Sequence, residues 1–183
     1  AASVLDALGF DFKESINSLG KLKSLPGRMH TFYKPRYPSI VVDYAHTPDA
    51  LRNVLVGLRL HCTGKLWCVF GCGGDRDEGK RREMGEIASA LADRLIITND
   101  NPRFEEPEKI VNDIIEGIRD ADIYGVELSR RLAIKKAINE AGQADVVLIA
   151  GKGHESYQEI CGYKEPFSDL ATVERYTSTT PRG

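Results

Sequence analysis

With 183 residues, 42% of them hydrophobic and 28% charged, the chain can bury a proper core and is too mixed in composition for global disorder. Its net charge of -2 gives no electrostatic footprint for nucleic acid or an anionic membrane surface, and no apolar run approaches a membrane span. Four cysteines (Cys62, Cys68, Cys72, Cys161) form neither a paired framework nor a metal-ligand set, so they read as reduced thiols and no zinc site is expected.

The first residues do not read as the start of a domain. Residues 2–8 suit a short helix and Gly9-Phe10-Asp11-Phe12 a break, after which residues 13–25 run with little apolar clustering. Residues 1–25 are therefore expected to be the tail of a preceding domain, and residues 26–183 the domain proper. Apolar runs then occur at residues 39–42, 66–70, 95–98, 123–126 and 146–150. Between them lie segments of helical spacing at residues 48–60, 82–91, 107–118 and 130–141. This alternation predicts an α/β fold, a Rossmann-like, mostly parallel sheet with helices on both faces. The near-continuous apolar runs suit strands covered on both sides. Residues 157–160 and 166–167 are expected to add an antiparallel edge strand, residues 169–176 a last helix, and residues 177–183 a frayed tail.

Every informative polar cluster falls at the carboxyl end of one of these strands, where open α/β sheets bind ligands. Asp43-Tyr44-Ala45-His46-Thr47-Pro48 offers Asp43 to a ribose hydroxyl and His46 to a base. The same residues also describe a helix start, with Thr47 or Asp49 as the cap and His46 exposed. Gly71-Cys72-Gly73-Gly74-Asp75-Arg76-Asp77 leads into Gly79-Lys80-Arg81-Arg82. A dinucleotide fingerprint fails here because Arg76 stands where a third glycine is needed. A Walker A loop fails because Arg81 replaces the hydroxyl that would hold magnesium. The glycines are either a plain turn or a means for the backbone to approach a ligand, with Arg76 as an anion contact.

Asp100-Asn101-Pro102-Arg103 sets opposite charges around a proline that fixes its own backbone and extends Asn101. Arg103 presents a planar fork to a carboxylate and Asp100 suits an ammonium, the outline of a receptor for a zwitterion. Asp-Asn-Pro also initiates turns, and an arginine after a strand is often only a solvated charge. Last comes Gly151-Lys152-Gly153-His154-Glu155, which suits a binding loop better than a connector. Glu155 and the Gly151 carbonyl can both accept from one ammonium, while a lone His154 is more often structural than catalytic.

Taken in order and spacing, together with Pro26-Gly27-Arg28, these loops resemble the carboxy-terminal part of the Mur ligases. These are ATP-dependent enzymes that add amino acids to the UDP-linked peptide of bacterial cell walls. The resemblance covers essentially the whole chain and matches the branch that adds meso-diaminopimelate to UDP-N-acetylmuramoyl-alanyl-glutamate. It implies that Asp100, Asn101, Pro102 and Arg103 form the diaminopimelate recognition motif. By the same resemblance, Arg76 and Arg103 bind the distal carboxylate, and Glu155 and the Gly151 carbonyl bind the distal ammonium. ATP contacts are implied at Arg28 near the phosphates, Asp43 at the ribose and His46 close to the nucleotide. The family reaction makes an acyl phosphate from the glutamate side chain and ATP, which the incoming amine attacks. Its phosphate loop, magnesium ligands and catalytic residues belong to a central domain upstream of residue 1. The resemblance thus implies no catalytic residue or metal ligand in this piece, partnership with the central and amino-terminal domains, a bacterial cytoplasmic setting, and no ligation by the piece alone. Two readings of other classes stand beside it. A non-catalytic scaffold relative is disfavoured by intact Arg76, Arg103 and Glu155, and a nicotinamide oxidoreductase by the failed glycine fingerprint.

Overall fold

The computed structural model describes residues 2–19 and 25–178. Helices α1 (Ala2–Ala7) and α2 (Phe12–Leu19) come first and lie against each other, with Leu8, Phe10 and Phe12 exposed. The expected weakly apolar stretch thus begins as a helix, and residues 20–24 lie outside the described residues.

The rest alternates as the apolar runs predict. The elements are β1 (His30–Phe32), β2 (Ser39–Asp43), α3 (Pro48–Arg59), β3 (Leu66–Phe70), α4 (Gly79–Leu91), β4 (Arg94–Ile97) and α5 (Pro107–Ile115). They continue with β5 (Tyr124–Val126), α6 (Arg130–Glu140), β6 (Val146–Ala150), β7 (Tyr157–Ile160), β8 (Tyr163–Pro166) and α7 (Asp169–Ser178). One sheet has the order β1-β2-β6-β3-β4-β5, and all its pairings are parallel except β1 with β2.

Strand pleating explains the continuous apolar runs. Val41, Cys68, Leu95 and Leu148 face a core with Leu51, Leu55 and Leu58 of α3 and with Met84, Ile87 and Ala88 of α4. Their neighbours Val42, Trp67, Ile96 and Ile149 face a second core with Ala133, Ile134 and Ile138 of α6 and Val173 of α7. A strand with both faces covered has no polar positions to alternate with. Each such buried Leu or Ile contributes about 1.5–3 kcal/mol relative to exposure. Local chemistry sets the helix start at α3, where Pro48 takes the first turn and the Thr47 hydroxyl accepts from Ala50 N.

The structure corrects the chain's last third. The antiparallel edge strand of the sheet is the three-residue β1, whereas β7 and β8 form a separate hairpin. β8 is exposed along its whole length, so it has no apolar face to lay on the sheet. Phe167 is not in a strand but buried in the second core. Thr177 is no frayed residue either, since it sits four places after buried Val173, is itself buried and donates to the Val173 carbonyl. Residues 179–183 lie outside the described residues.

The four cysteines are free thiols, and burial pushes the Cys72 thiol up to about 12, which keeps it protonated and unreactive. Arg81, standing where a phosphate loop would need a hydroxyl, is wholly buried and clamps α4 to the next unit. Its guanidinium donates to both Glu105 oxygens (2.8 and 2.9 Å) and to Asp113 (2.8 Å). The Arg81 bond holds the Glu105 carboxyl down to about 2, so the pair stays ionised across the physiological range.

Candidate functional site

Strands β2, β3, β4 and β6 run parallel, so the loops that follow them gather at one edge of the sheet. They enclose a cleft of about 450 Å³ lined by Tyr44, His46, Thr47, Gly73, Arg76, Lys80, Asp100, Asn101, Arg103, Gly151, Glu155 and Tyr157. Of the residues singled out in the sequence, Arg28, Asp43 and Pro102 do not line it.

Asp43 lies beneath its loop rather than in the opening. One carboxylate oxygen accepts from Ala45 N and the other from Met29 N, each at 2.8 Å, which pins the chain after β2 to the turn at Arg28. That brings the Arg28 guanidinium 4.4 Å above the Tyr44 ring. Tyr44 in turn meets the rings of His46 at 4.6 Å and His154 at 5.4 Å. His46 Nδ1 is 2.8 Å from the Tyr44 carbonyl. A carbonyl only accepts, so Nδ1 carries a proton in this contact. Lys80 donates to the His46 carbonyl at 3.2 Å and supplies a cation at this end of the cleft. The result is a row of flat groups flanked by positive charge.

The opposite wall is built around Lys152, which sequence reading placed in a binding loop without a role. It is wholly buried, and its ammonium donates to Asn101 Oδ1 (2.8 Å) and Glu155 Oε2 (2.9 Å) and faces Asp100 Oδ1 at 3.4 Å. Asn101 Nδ2 also donates to Glu155 Oε2 at 3.1 Å. Asp100, read as an acceptor for a ligand ammonium, therefore serves the protein's own lysine. Burial alone would raise the Glu155 carboxyl, but the Lys152 bond and charge outweigh it and hold it below the ordinary range. Glu155 Oε1 is left outside these bonds, available to a ligand.

Arg103 has positive φ (53°), uncommon outside glycine. Its Nη1 donates to the Gly74 carbonyl at 2.7 Å, and its Nε lies 3.2 Å from Glu159 Oε2. Arg76 stands exposed, and its side chain and that of Arg103 both lie beside Gly73.

Beneath both walls lies a second buried ion pair. Arg130 Nε and Nη2 donate to the two oxygens of Asp169 (2.8 Å each), and Nη2 also bonds the Ala150 carbonyl at 2.9 Å. Neither residue is exposed. The pair spans 39 positions, and nothing local in either segment signals it.

The glycines after β3 also need correction. Their expected approach to a ligand is in part an approach to protein backbone. A Cβ on Gly71 would strike the Thr98 carbonyl oxygen, and one on Gly74 the Pro102 carbonyl oxygen. At Gly73 the obstacle is instead the tip of the Arg103 side chain, whose Nη1 would lie 2.9 Å from the added carbon. Gly74→Ala is thus expected to cost about 1–3 kcal/mol by overpacking, because backbone must move. Gly73→Ala should leave stability within about 0.5 kcal/mol while displacing the guanidinium, a side-chain adjustment. Parallel denaturant melts of the two variants check the contrast. Among the described residues, no group of three His, Cys, Asp or Glu is placed to hold a metal ion.

The family described as "Mur ligase, glutamate ligase domain" matches residues 27–153. The solved structure of UDP-N-acetylmuramoyl-L-alanyl-D-glutamate--2,6-diaminopimelate ligase is 44% identical to this chain, with a TM-score of 0.80 over 97% of this chain and 37% of that one. UDP-N-acetylmuramate-alanine ligase from Thermotoga maritima superposes with a TM-score of 0.61 at 18% identity, covering 96% of this chain and 35% of its own. A bifunctional folylpolyglutamate synthase/dihydrofolate synthase from Yersinia pestis, solved with AMPPNP and Mn, gives 0.59 at 24% identity over 75% of this chain and 31% of its own. The last two bear on the fold alone. The chain spans about a third of the length of each of these proteins.

Proposed function

Since the chain belongs to the Mur ligase family through the glutamate ligase domain, we propose that it is the amino-acid-binding part of an ATP-dependent ligase for cell-wall peptide. The parent enzyme would join meso-diaminopimelate to UDP-N-acetylmuramoyl-L-alanyl-D-glutamate in the bacterial cytoplasm, with residues 1–25 closing its central domain. The observation that carries this reading is the polarity of the cleft. Arg103 and Arg76, which suit a carboxylate, line the same cleft as Glu155 and Gly151, whose carboxylate and carbonyl suit an ammonium. A ligand carrying both groups on one carbon satisfies both pairs at once.

The nucleotide fits the other end. Arg28 and Lys80 suit phosphates, and the Tyr44 and His46 rings suit a base or ribose. Asp43 has both oxygens engaged by backbone and acts first by fixing this loop; any ribose contact uses its remaining lone pairs. ATP, when bound with magnesium, supplies the phosphoryl group that activates the acceptor carboxylate. Magnesium ligands would come from the parent's central domain. This chain's own part is to hold the distal end of the amino acid so that its reacting amine is oriented toward the activated carboxylate. Such positioning converts a bimolecular encounter into an oriented one.

The test uses the full-length parent with ATP and the UDP-muramoyl dipeptide. Product from meso-diaminopimelate and from L-lysine is compared by mass spectrometry. Lysine has the ammonium but no second carboxylate, so it would leave Arg103 and Arg76 unpaired. A site built to bond a group rejects the analogue lacking it strongly, and a discrimination of about 10³-fold or more is expected. Equal use of both would discard the role given to the arginines. No product with either, from folded protein, would point to a scaffold.

A further inference from the structure

We propose that Glu159 is the positioning residue that sets the Arg103 guanidinium for a carboxylate, and so helps determine the selectivity of the cleft. The identity of the ligand rests on the reading above, while the arrangement that orients Arg103 is independent of it. Glu159 lies on β7, beyond every motif legible in the sequence, in a hairpin that is not part of the main sheet.

That hairpin holds the recognition loop by its backbone. Arg103 N donates to the Glu159 carbonyl at 3.0 Å, and the Arg103 carbonyl accepts from Cys161 N at 2.7 Å. Glu159 N donates to Asn101 Oδ1 at 2.9 Å, and Gln158 Nε2 to the Asp100 carbonyl at 2.8 Å. These bonds over-determine the loop and sustain the left-handed backbone at Arg103. None of them uses the Glu159 side chain.

The guanidinium is then placed by one hydrogen bond and one ion pair on different edges. The Gly74 carbonyl accepts a hydrogen bond from Nη1 at 2.7 Å, and the Glu159 carboxylate pairs by charge with the Nε side at 3.2 Å, off the N–H direction. A guanidinium has five N–H groups, and the bond to Gly74 uses one of them, so both on Nη2 and the second on Nη1 remain for a ligand. A carboxylate can approach an arginine side-on, through Nε and Nη2, or end-on, through Nη1 and Nη2. The Glu159 charge lies against the side-on edge, which leaves the end-on edge for a second carboxylate. Side chains of Arg103 and Glu159 are only 19% and 25% exposed, so solvent screens this contact less than a surface pair. With alanine at 159 the guanidinium would keep a single anchor at Gly74 and could swing about it.

The experiment compares Glu159→Ala and Glu159→Gln in the full-length enzyme, with kcat and KM measured for meso-diaminopimelate and for L-lysine, the latter at high enzyme concentration. Both variants keep the backbone bonds and should melt within a few degrees of the parent. Glu159→Ala is expected to raise KM for diaminopimelate about tenfold with kcat little changed, and to leave kcat/KM for lysine alone. Glutamine keeps the shape but not the charge, so Glu159→Gln should lose nearly as much as Glu159→Ala, as an ion pair requires. In an Arg103→Ala background, Glu159→Ala should add nothing, because its effect passes through that arginine. Equal losses for both amino acids, an unchanged selectivity ratio, or a lower KM for diaminopimelate would each overturn the proposal. Parent enzyme that uses lysine as readily as diaminopimelate would instead overturn the reading of the cleft, and the selectivity role with it.

Discussion

Asp169→Asn is expected to lower the unfolding free energy by about 3–5 kcal/mol, the usual cost of leaving one member of a buried ion pair uncompensated. For a chain of this size that corresponds to a fall in melting temperature of roughly 10 °C. Asp169 and Arg130 are both shut off from solvent and share two bonds of 2.8 Å. Burial works against the Arg130 charge, and Asp169 outweighs it. Arg130 also reaches the carbonyls of Ala150 and Asn99, so the pair fastens α6 and α7 to the ends of β6 and β4. The double variant Arg130→Met/Asp169→Leu removes both charges and fills similar volume, and should recover most of the loss. Denaturant unfolding of the three proteins decides it. A single variant as stable as the parent would mean that water or another residue satisfies Arg130.

Lys152→Met should be comparably severe, about 3–5 kcal/mol at neutral pH, for the opposite reason. It removes the ammonium that lies between Asp100, Asn101 and Glu155, leaving two carboxylates close together in a partly buried wall. The pH dependence identifies the mechanism. In the parent, Glu155 is held below its ordinary value of 4.5, so it contributes stability above that range and loses it as pH falls. Without Lys152, burial dominates and raises the same carboxyl, so protonation relieves the variant as pH falls from 7 toward 5. The stability gap between parent and variant should therefore narrow over that interval. A gap independent of pH would show that Lys152 matters for packing alone.

Sequence pattern was sufficient for the elements that bury both faces. The runs that became β2, β3, β4 and β6 needed only length and apolar continuity to be recognised, because a doubly covered strand has no polar face to confuse it with a loop. β1 escaped because His30-Thr31-Phe32 contains a single strongly apolar residue and takes its partner from β2. Of the hairpin only β7 was legible as extended chain, β8 being met at Pro166 alone, and its assignment to the main sheet was wrong, since pairing partners are chosen by tertiary position. The strand-end loops gave Arg76, Asn101, Arg103, Gly151 and Glu155, and these do line one cleft. What stayed hidden was the support: Lys152, Arg130 with Asp169, and Glu159. Each acts through a partner supplied by another segment, and a lone charged residue in a sequence carries no record of what it meets.

The order of the central strands bears on how this domain is assembled. β6 is the last parallel strand in the chain, yet it occupies the slot between β2 and β3. Before it arrives, β1-β2 and β3-β4-β5 are two ribbons with no hydrogen-bonded edge in common. Tyr44 and His46 follow the first ribbon, and Arg76 and Arg103 the second, so the lining of the cleft is divided between them. Joining them requires a contact across about a hundred residues of sequence, the kind of non-local closure that slows folding. The cleft is therefore a product of the whole sheet, since its loops share one edge only when residues 146–150 lie between the two ribbons.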